Sequence, residues 1–177
     1  MNKKEFRLNI NKDINNKESK SKVISYLLYN ELKNCKSIAL YAAMNDEVNL
    51  DSLITRLINE GKTVSLPRIN NDKLDFYIIN SLDELNISNN KYKIREPISN
   101  NIINKDNIDI MVIPGVAFDI NLNRMGHGKG YYDKYLEDFK GIKTGVCFGE
   151  LLFDNIPTDT HDIKMDMIIT NEKRFAK

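Results

Sequence analysis

"SIALYAAMNDEVNLDSLITRLINEGKTVSLPR", residues 37–68, is where the fold becomes legible. "SIALYAA" (37–43) is a short apolar run, rich enough for a buried strand. After the loop "MNDEVN", Leu50, Leu53, Ile54, Leu57 and Ile58 recur at i, i+3, i+4, i+7 and i+8. That spacing predicts an amphipathic helix, capped by Asn49 or Asp51 and stopped near Gly61. "KTVSLPR" (62–68) reads as the next strand, ended by Pro67, which cannot donate to a ladder. Strand, helix and strand in that order predict a parallel pair with a right-handed crossover.

The pattern extends in both directions. Upstream, "SKVISYLLYNELKNC" (21–35) carries Val23, Ile24, Leu27, Leu28 and Leu32 at helical spacing, within an N-terminal segment of one or two helices. Downstream, "DFYII" (75–79) is a strand candidate, and 80–101 is mostly polar loop with one helical turn. "IDIMVIPG" (108–115) is a continuous apolar run that suits a central strand. "KTGVCFG" (143–149) and "KMDMIIT" (164–170) add two more. No repeat or linker interrupts the chain, so residues 1–177 form one α/β domain with a mostly parallel central sheet flanked by helices.

Composition excludes several classes. Net charge is +1, from 26 basic and 25 acidic residues, so no global basic field of the kind nucleic-acid binding uses exists. No apolar run approaches the roughly 20 residues needed to span a bilayer. The start, "MNKKEFRLNINKDI", lacks the apolar core of a secretory signal. Cys35 and Cys147 lie far apart with no Cys or His companion and read as packed thiols, in keeping with a reducing compartment. We expect a cytoplasmic monomer that meets neither nucleic acid nor membrane.

The chemistry concentrates in "NRMGHGKGYYDKYL" (123–136). Gly126, Gly128 and Gly130 alternate, with Arg124, His127 and Lys129 among them. Tyr132, Tyr135, Leu136 and Phe139 then fall at helical spacing, which puts Gly130 at a helix start and Asp133 in its first turn, off the apolar stripe. Bare backbone amides at a helix start suit an anion, and Lys129 and Arg124 would neutralise it. The plainer alternative is a glycine-rich turn with a solvated rim. The stretch is neither a Walker A loop nor a dinucleotide fingerprint. Tyr131 and Tyr132 cannot both be core; Tyr132 is in phase with the stripe, leaving Tyr131 for the ligand.

"DIMVIPGVAFDINLNRMGHGKGYYDKYL" (109–136) resembles the long signature of the 5-formyltetrahydrofolate cyclo-ligase family. The resemblance extends to "KKEFR" (3–7), "IALYAAMNDEVN", "GKTVSLPR", "REP" (95–97) and "KMDMIIT". Two departures stand out: Asn121 or Asn123 occupies the place where a glycine often precedes the arginine, and Tyr92 stands where Trp is common. The resemblance implies a Rossmann-like sheet similar to the sugar-phosphate isomerase and CoA transferase type. It also implies an ATP- and Mg2+-dependent ligase that closes 5-formyltetrahydrofolate to 5,10-methenyltetrahydrofolate, with ATP as co-substrate and release of ADP and phosphate.

On that resemblance Lys3, Lys4, Glu5, Phe6 and Arg7 lie along ATP, with Arg124, Met125, Gly126, His127, Gly128, Lys129, Gly130, Tyr131 and Tyr132 forming the nucleotide loop. Met44, Glu47, His127, Gly128, Lys129, Gly130 and Tyr131 contact the folate; Lys129, Arg124 and Tyr132 serve the reaction; Asp133 and Asp166 hold magnesium. Each has a plainer alternative. Lys3 and Arg7 could be solvated charges on a terminal helix, and Glu47 could cap the helix near Asp51. Asp166, between Met165 and Met167, points to the face opposite theirs, where a carboxylate needs a partner or a metal. His161 reads as a surface or turn residue. Rival classes are an isomerase or transferase without ATP, and a non-catalytic nucleotide-binding protein; the latter would not need Glu47, Asp133 and Asp166 together.

Overall fold

Two helices precede the first strand in the computed structural model, which describes residues 1–88 and 93–176. Helix α1 (Lys3–Asn9) is closed by a capping box, in which the Asn2 side chain accepts from Glu5 N–H and Glu5 accepts from Asn2 N–H. It buries no residue. Helix α2 (Lys17–Leu32) packs through Ser21, Ile24, Leu28 and Leu32, spaced 3, 4 and 4 apart. Val23, expected on that stripe, faces solvent, and Leu27 is half-buried.

The strand–helix–strand unit forms as its periodicity requires. Strand β1 (Ser37–Ala39), helix α3 (Asp51–Asn59) and strand β2 (Thr63–Asn70) follow in order, and β1 and β2 run parallel. Leu50 occupies the N-cap, but the Asn49 side chain accepts from Asp51 N–H at 2.9 Å, so the expected capping group does the work one place earlier. Gly61 takes the left-handed conformation past the helix end.

Pro67 does not end its strand. β2 runs to Asn70 and pairs antiparallel with β3 (Lys73–Ile79), with Pro67 opposite Phe76. β1 stops opposite Ser65, so beyond that point the far edge of β2 carries no ladder that a missing N–H would break. The hairpin turns through Asn71 and Asp72, both with positive φ. The polar segment after it contains the expected single helical turn (Leu82–Glu84) and a small ribbon, β4 (Leu85–Ile87) with β5 (Arg95–Pro97). Tyr92 lies outside the described residues.

The apolar run at 108–115 forms β6 (Ile110–Ile113), buried at every position. Strands β7 (Ala117–Asp119) and β8 (Arg124–Met125) make a hairpin, and helix α4 (Tyr131–Leu136) follows. Strand β9 (Ile142–Val146), the short β10 (Leu152–Phe153), β11 (Met167–Ile169) and β12 (Arg174–Ala176) complete the chain. The main sheet has the order β12-β11-β9-β6-β1-β2-β3 and is parallel except at its outer pairs, β11–β12 and β2–β3. A second sheet, β10-β7-β8, carries the glycine loop onto the carboxyl end of β6. No described helix is long and apolar enough to cross a membrane.

Candidate active site

The β7–β8 hairpin sets the site. Its turn closes with Leu122 N–H donating to Asp119 C=O at 3.0 Å, and Leu122 has φ +68. The left-handed position is therefore Leu122, neither Asn121 nor Asn123, and a leucine there costs about 1–2 kcal/mol. Arg124 follows and is buried. Its Nη1 donates to Pro114 C=O at 3.2 Å and its Nη2 to Asp133 Oδ1 at 3.0 Å. Gly126 must be bare because a Cβ there would lie 2.9 Å from that guanidinium. Gly128 and Gly130 have φ +95 and +69, conformations that favour glycine. Gly130 is the N-cap of α4, as the spacing predicts. The helix is shorter than its apolar stripe: Leu136 ends it, and Phe139 reaches the core from the following turn.

Two cavities of about 740 Å³ each meet at this loop. The first is a polar cleft between α1, Gly128 and residues 157–162, and Lys3, Lys4 and Arg7 reach into it. Arg7 Nε donates to Gly126 C=O at 2.8 Å. Lys3 Nζ pairs with Asp159 at 2.7 Å and Asp162 at 2.5 Å. Burial alone would lower the Lys3 pKa; the bonds to Asp159 and Asp162 outweigh it and raise it. Asp159 is held below the usual carboxylate range, chiefly by its bond to Lys3. Phe6 anchors the helix edge-on against Phe153, with ring centres 5.2 Å apart.

The second cavity is largely apolar, walled by Tyr41, Ala42, Pro67, Ile69, Leu74, Ile94 and Pro114. Its charged groups and imidazole are Glu47, Glu96, His127, Lys129 and Asp133, with Arg124 behind them. The nearly buried Glu47 side chain accepts from Met44 N–H at 2.9 Å and lies 3.6 Å from His127 Nε2. So it does not cap α3; it faces the loop. Tyr131 and Tyr132 both border this cavity. Burial, then the charge of Glu47, pushes the Tyr132 hydroxyl well up, with Arg124 opposing, so it keeps its proton at neutral pH. Gly130 and Asp133 are the residues common to both cavities.

Not every expected residue is brought here. Met125 is 1% exposed and packs with Ala117 and Ile156, leaving it no ligand surface. Glu5 and Phe6 are spent on the cap and the anchor of α1. His127 and Lys129 border the apolar cavity and not the polar cleft. Asp166 is not brought beside Asp133. It precedes β11, toward the amino ends of the parallel strands, where its Oδ2 accepts from Lys143 N–H at 2.9 Å and meets Lys143 Nζ at 2.8 Å. Its flanking methionines are buried, as alternation requires, and its charge is compensated by an amine. His161 lies exposed in a turn.

Sequence reasoning missed Asp159 and Asp162, about as far from Lys3 as the chain permits. No local pattern could have joined them. Their oxygens and a His161 nitrogen fall within 4.8 Å of one another, but the Lys3 ammonium already occupies the two carboxylates. Asp133 gives Oδ1 to Arg124 and lines the polar cleft, where its second oxygen could hold a magnesium ion.

A sequence model of the 5-formyltetrahydrofolate cyclo-ligase family matches residues 4–171. A probable 5-formyltetrahydrofolate cyclo-ligase of Schizosaccharomyces pombe is 36% identical over 162 residues, covering 81% of this chain and 78% of that protein. The mouse 5-formyltetrahydrofolate cyclo-ligase is 28% identical over 156 residues, covering 81% and 77%. Among solved structures, the Aquifex aeolicus 5,10-methenyltetrahydrofolate synthetase superposes with a TM-score of 0.77 at 32% identity, covering 88% of this chain and 80% of that one. The Mycoplasma pneumoniae 5,10-methenyltetrahydrofolate synthetase also gives 0.77, at 26% identity, covering 97% and 99%.

Proposed function

The chain belongs to the 5-formyltetrahydrofolate cyclo-ligase family, and from that premise we propose how the two cavities that meet at the glycine loop divide the reaction. It is a ligase that uses ATP to close 5-formyltetrahydrofolate to 5,10-methenyltetrahydrofolate. ATP takes the polar cleft, its phosphates against Lys3, Lys4, Arg7 and the backbone of Gly128 and Gly130. The folate takes the apolar cavity, with Glu47, Met44, His127 and Tyr131 around its pterin. The observation that carries this reading is the sharing of Gly130 and Asp133 by the two cavities. A phosphoryl group on one side and a formyl oxygen on the other could meet only there.

The chemistry needs alignment more than it needs a nucleophile. A formyl oxygen is a poor leaving group. Transfer of the γ-phosphoryl group makes it a phosphate ester; N10 then attacks the formyl carbon, phosphate departs and N10 gives up its proton. The chain's task is to hold the two substrates in line and to offset charge on the transferring group. Magnesium, when bound by Asp133 and the phosphates, would offset that charge from the ATP side. Arg124 fixes the Asp133 carboxylate from below, and Lys129 approaches from the folate side. Tyr132, protonated, can donate a hydrogen bond but cannot serve as a base. Preorganised donors of this kind are worth about 10²–10³ in rate each.

The test is direct: purified protein, magnesium-ATP and 5-formyltetrahydrofolate, with the methenyl chromophore followed in time. Appearance of product with one ADP per turnover is expected. A folded protein that binds ATP and gives no product would sink the reading. The protein is proposed to act as a monomer; specific activity that climbs with protein concentration would contradict that.

A further inference from the structure

Asp119 closes β7 and is 1% exposed. Its carboxylate is held by N–H groups. Oδ1 accepts from the backbones of Asn121 and Asn123, each at 2.9 Å. Oδ2 accepts from Asn123 Nδ2 at 2.8 Å and from Ile156 N–H at 3.2 Å. A buried carboxylate costs several kcal/mol of desolvation unless so satisfied, which is a heavy device for a surface turn. What the four bonds join is more than a turn. The first three close the hairpin that forces Leu122 to φ +68 and delivers Arg124, and through Arg124 the carboxylate of Asp133. Such a conformation persists only where its surroundings over-determine it. The fourth bond fixes the root of the segment that runs on through Pro157 to Asp162, the opposite wall of the polar cleft. Asn121 adds a second tie, its Nδ2 donating to Asn155 Oδ1 at 3.0 Å and toward Asp154 C=O at 3.4 Å. Along that wall Asp159 and Asp162 hold Lys3.

We propose that Asp119 is a positioning residue for ATP: one carboxylate ties the hairpin that aims Arg124 and Asp133 to the segment that holds Lys3, and so sets the span of the polar cleft. The inference rests on ATP occupying that cleft. Its bond to Ile156 is what acts on one substrate and not the other: Arg124 and Asp133 also border the apolar cavity, with β2, β3, β5 and the loop, but residues 156–162 do not.

Steady-state kinetics with each substrate varied separately test it. In Asp119→Asn the new NH2 faces either the backbone N–H groups of Asn121 and Asn123 or, with the Asn123 amide turned to accept, that of Ile156. The KM for ATP should rise on the order of tenfold, the effect of about 1.4 kcal/mol, while the KM for 5-formyltetrahydrofolate moves less than about twofold. The swap Asp119→Asn with Asn123→Asp restores complementarity inside the turn but not at Ile156, so turnover should recover while the KM for ATP stays high. An equal rise in both KM values, or a swap that returns the KM for ATP to that of the parent, would overturn the proposal. If Asp119→Asn fails to fold, Asn121→Ala removes only the exposed tie; a smaller rise confined to ATP is expected, and no rise overturns the proposal. A Lys3→Ala control separates the two levels: if it leaves the KM for ATP unmoved, the placement of ATP has failed, and not the role of Asp119.

Discussion

The two cavities are equal in size and opposite in character. The apolar one is walled by strands of the main sheet and their immediate continuations, closed by β5, the glycine loop and the start of α4, and Tyr41, which borders it, is buried and donates to Val48 C=O at 2.9 Å. The polar one leans on a seven-residue helix with no buried side chain and on an irregular segment, joined by ion pairs. Packing carries the first; charge carries the second. Partly exposed ion pairs contribute about 0–1 kcal/mol and one edge-on aromatic pair about 0.5–1.5, so α1 is the less firmly held wall. On the proposed assignment, the shape-selective site for a large heterocycle falls in the packed half, and the site for a flexible, highly charged chain in the half held by charge.

The sharpest way to break this division is at the shared edge. Asp133→Asn should lower kcat by about 10²–10³ with circular dichroism unchanged, because it removes the negative charge both cavities share and leaves Arg124 with only a neutral acceptor. Wild-type turnover would remove Asp133 from the reaction. Next in size, Glu47→Gln should raise the KM for the folate by about tenfold and leave that for ATP in place, as loss of a charged acceptor costs about 1.5–3 kcal/mol. Equal effects on both substrates would merge the cavities. Lys4→Ala, at the exposed rim, should raise only the KM for ATP, by about two- to fivefold and more at low salt, since screening weakens such contacts.

The smallest effects are on pH and thiols. Asp159 has a lowered folded-state pKa, so its stabilising contribution is present above its unfolded value and lost as pH falls through the folded one. The Lys3 link to α1 should therefore loosen in acid, below about pH 4, before the main sheet melts. Limited proteolysis of the N-terminal segment against pH measures this; cleavage that tracks global unfolding would erase the contrast. Cys147 is buried, with its pKa pushed up by burial and then by Glu150. A thiol reagent at neutral pH should leave it unmodified until the chain is denatured.

The sheet's centre was legible because its strands are continuous apolar runs and α3 repeats at helical spacing. The β7-β8-β10 sheet was not, since strands of two or three residues carry no period to read. Pro67 misled for a different reason: whether a missing N–H matters depends on where the neighbouring strand stops, which is a tertiary fact. At the site, the loop, the helix start and Asp133 could be placed from local spacing alone. Asp166 could not. Alternation assigned its face but says nothing about which end of the sheet it occupies, and the compensating amine is Lys143. Lys3 likewise waited for two carboxylates from the other end of the chain.

One practical consequence follows from the capping box of α1. Asn2 both starts that helix and lines the polar cleft, with Met1 beside it. Any peptide fused ahead of Met1 for purification would hang over the polar cleft proposed for ATP and tug on the cap. The same tag behind β12 would trail from the far border of the main sheet. Enzyme prepared in the two formats should therefore differ in its response to ATP while agreeing in its response to folate, and the end of the chain that carries the tag becomes a variable of the experiment.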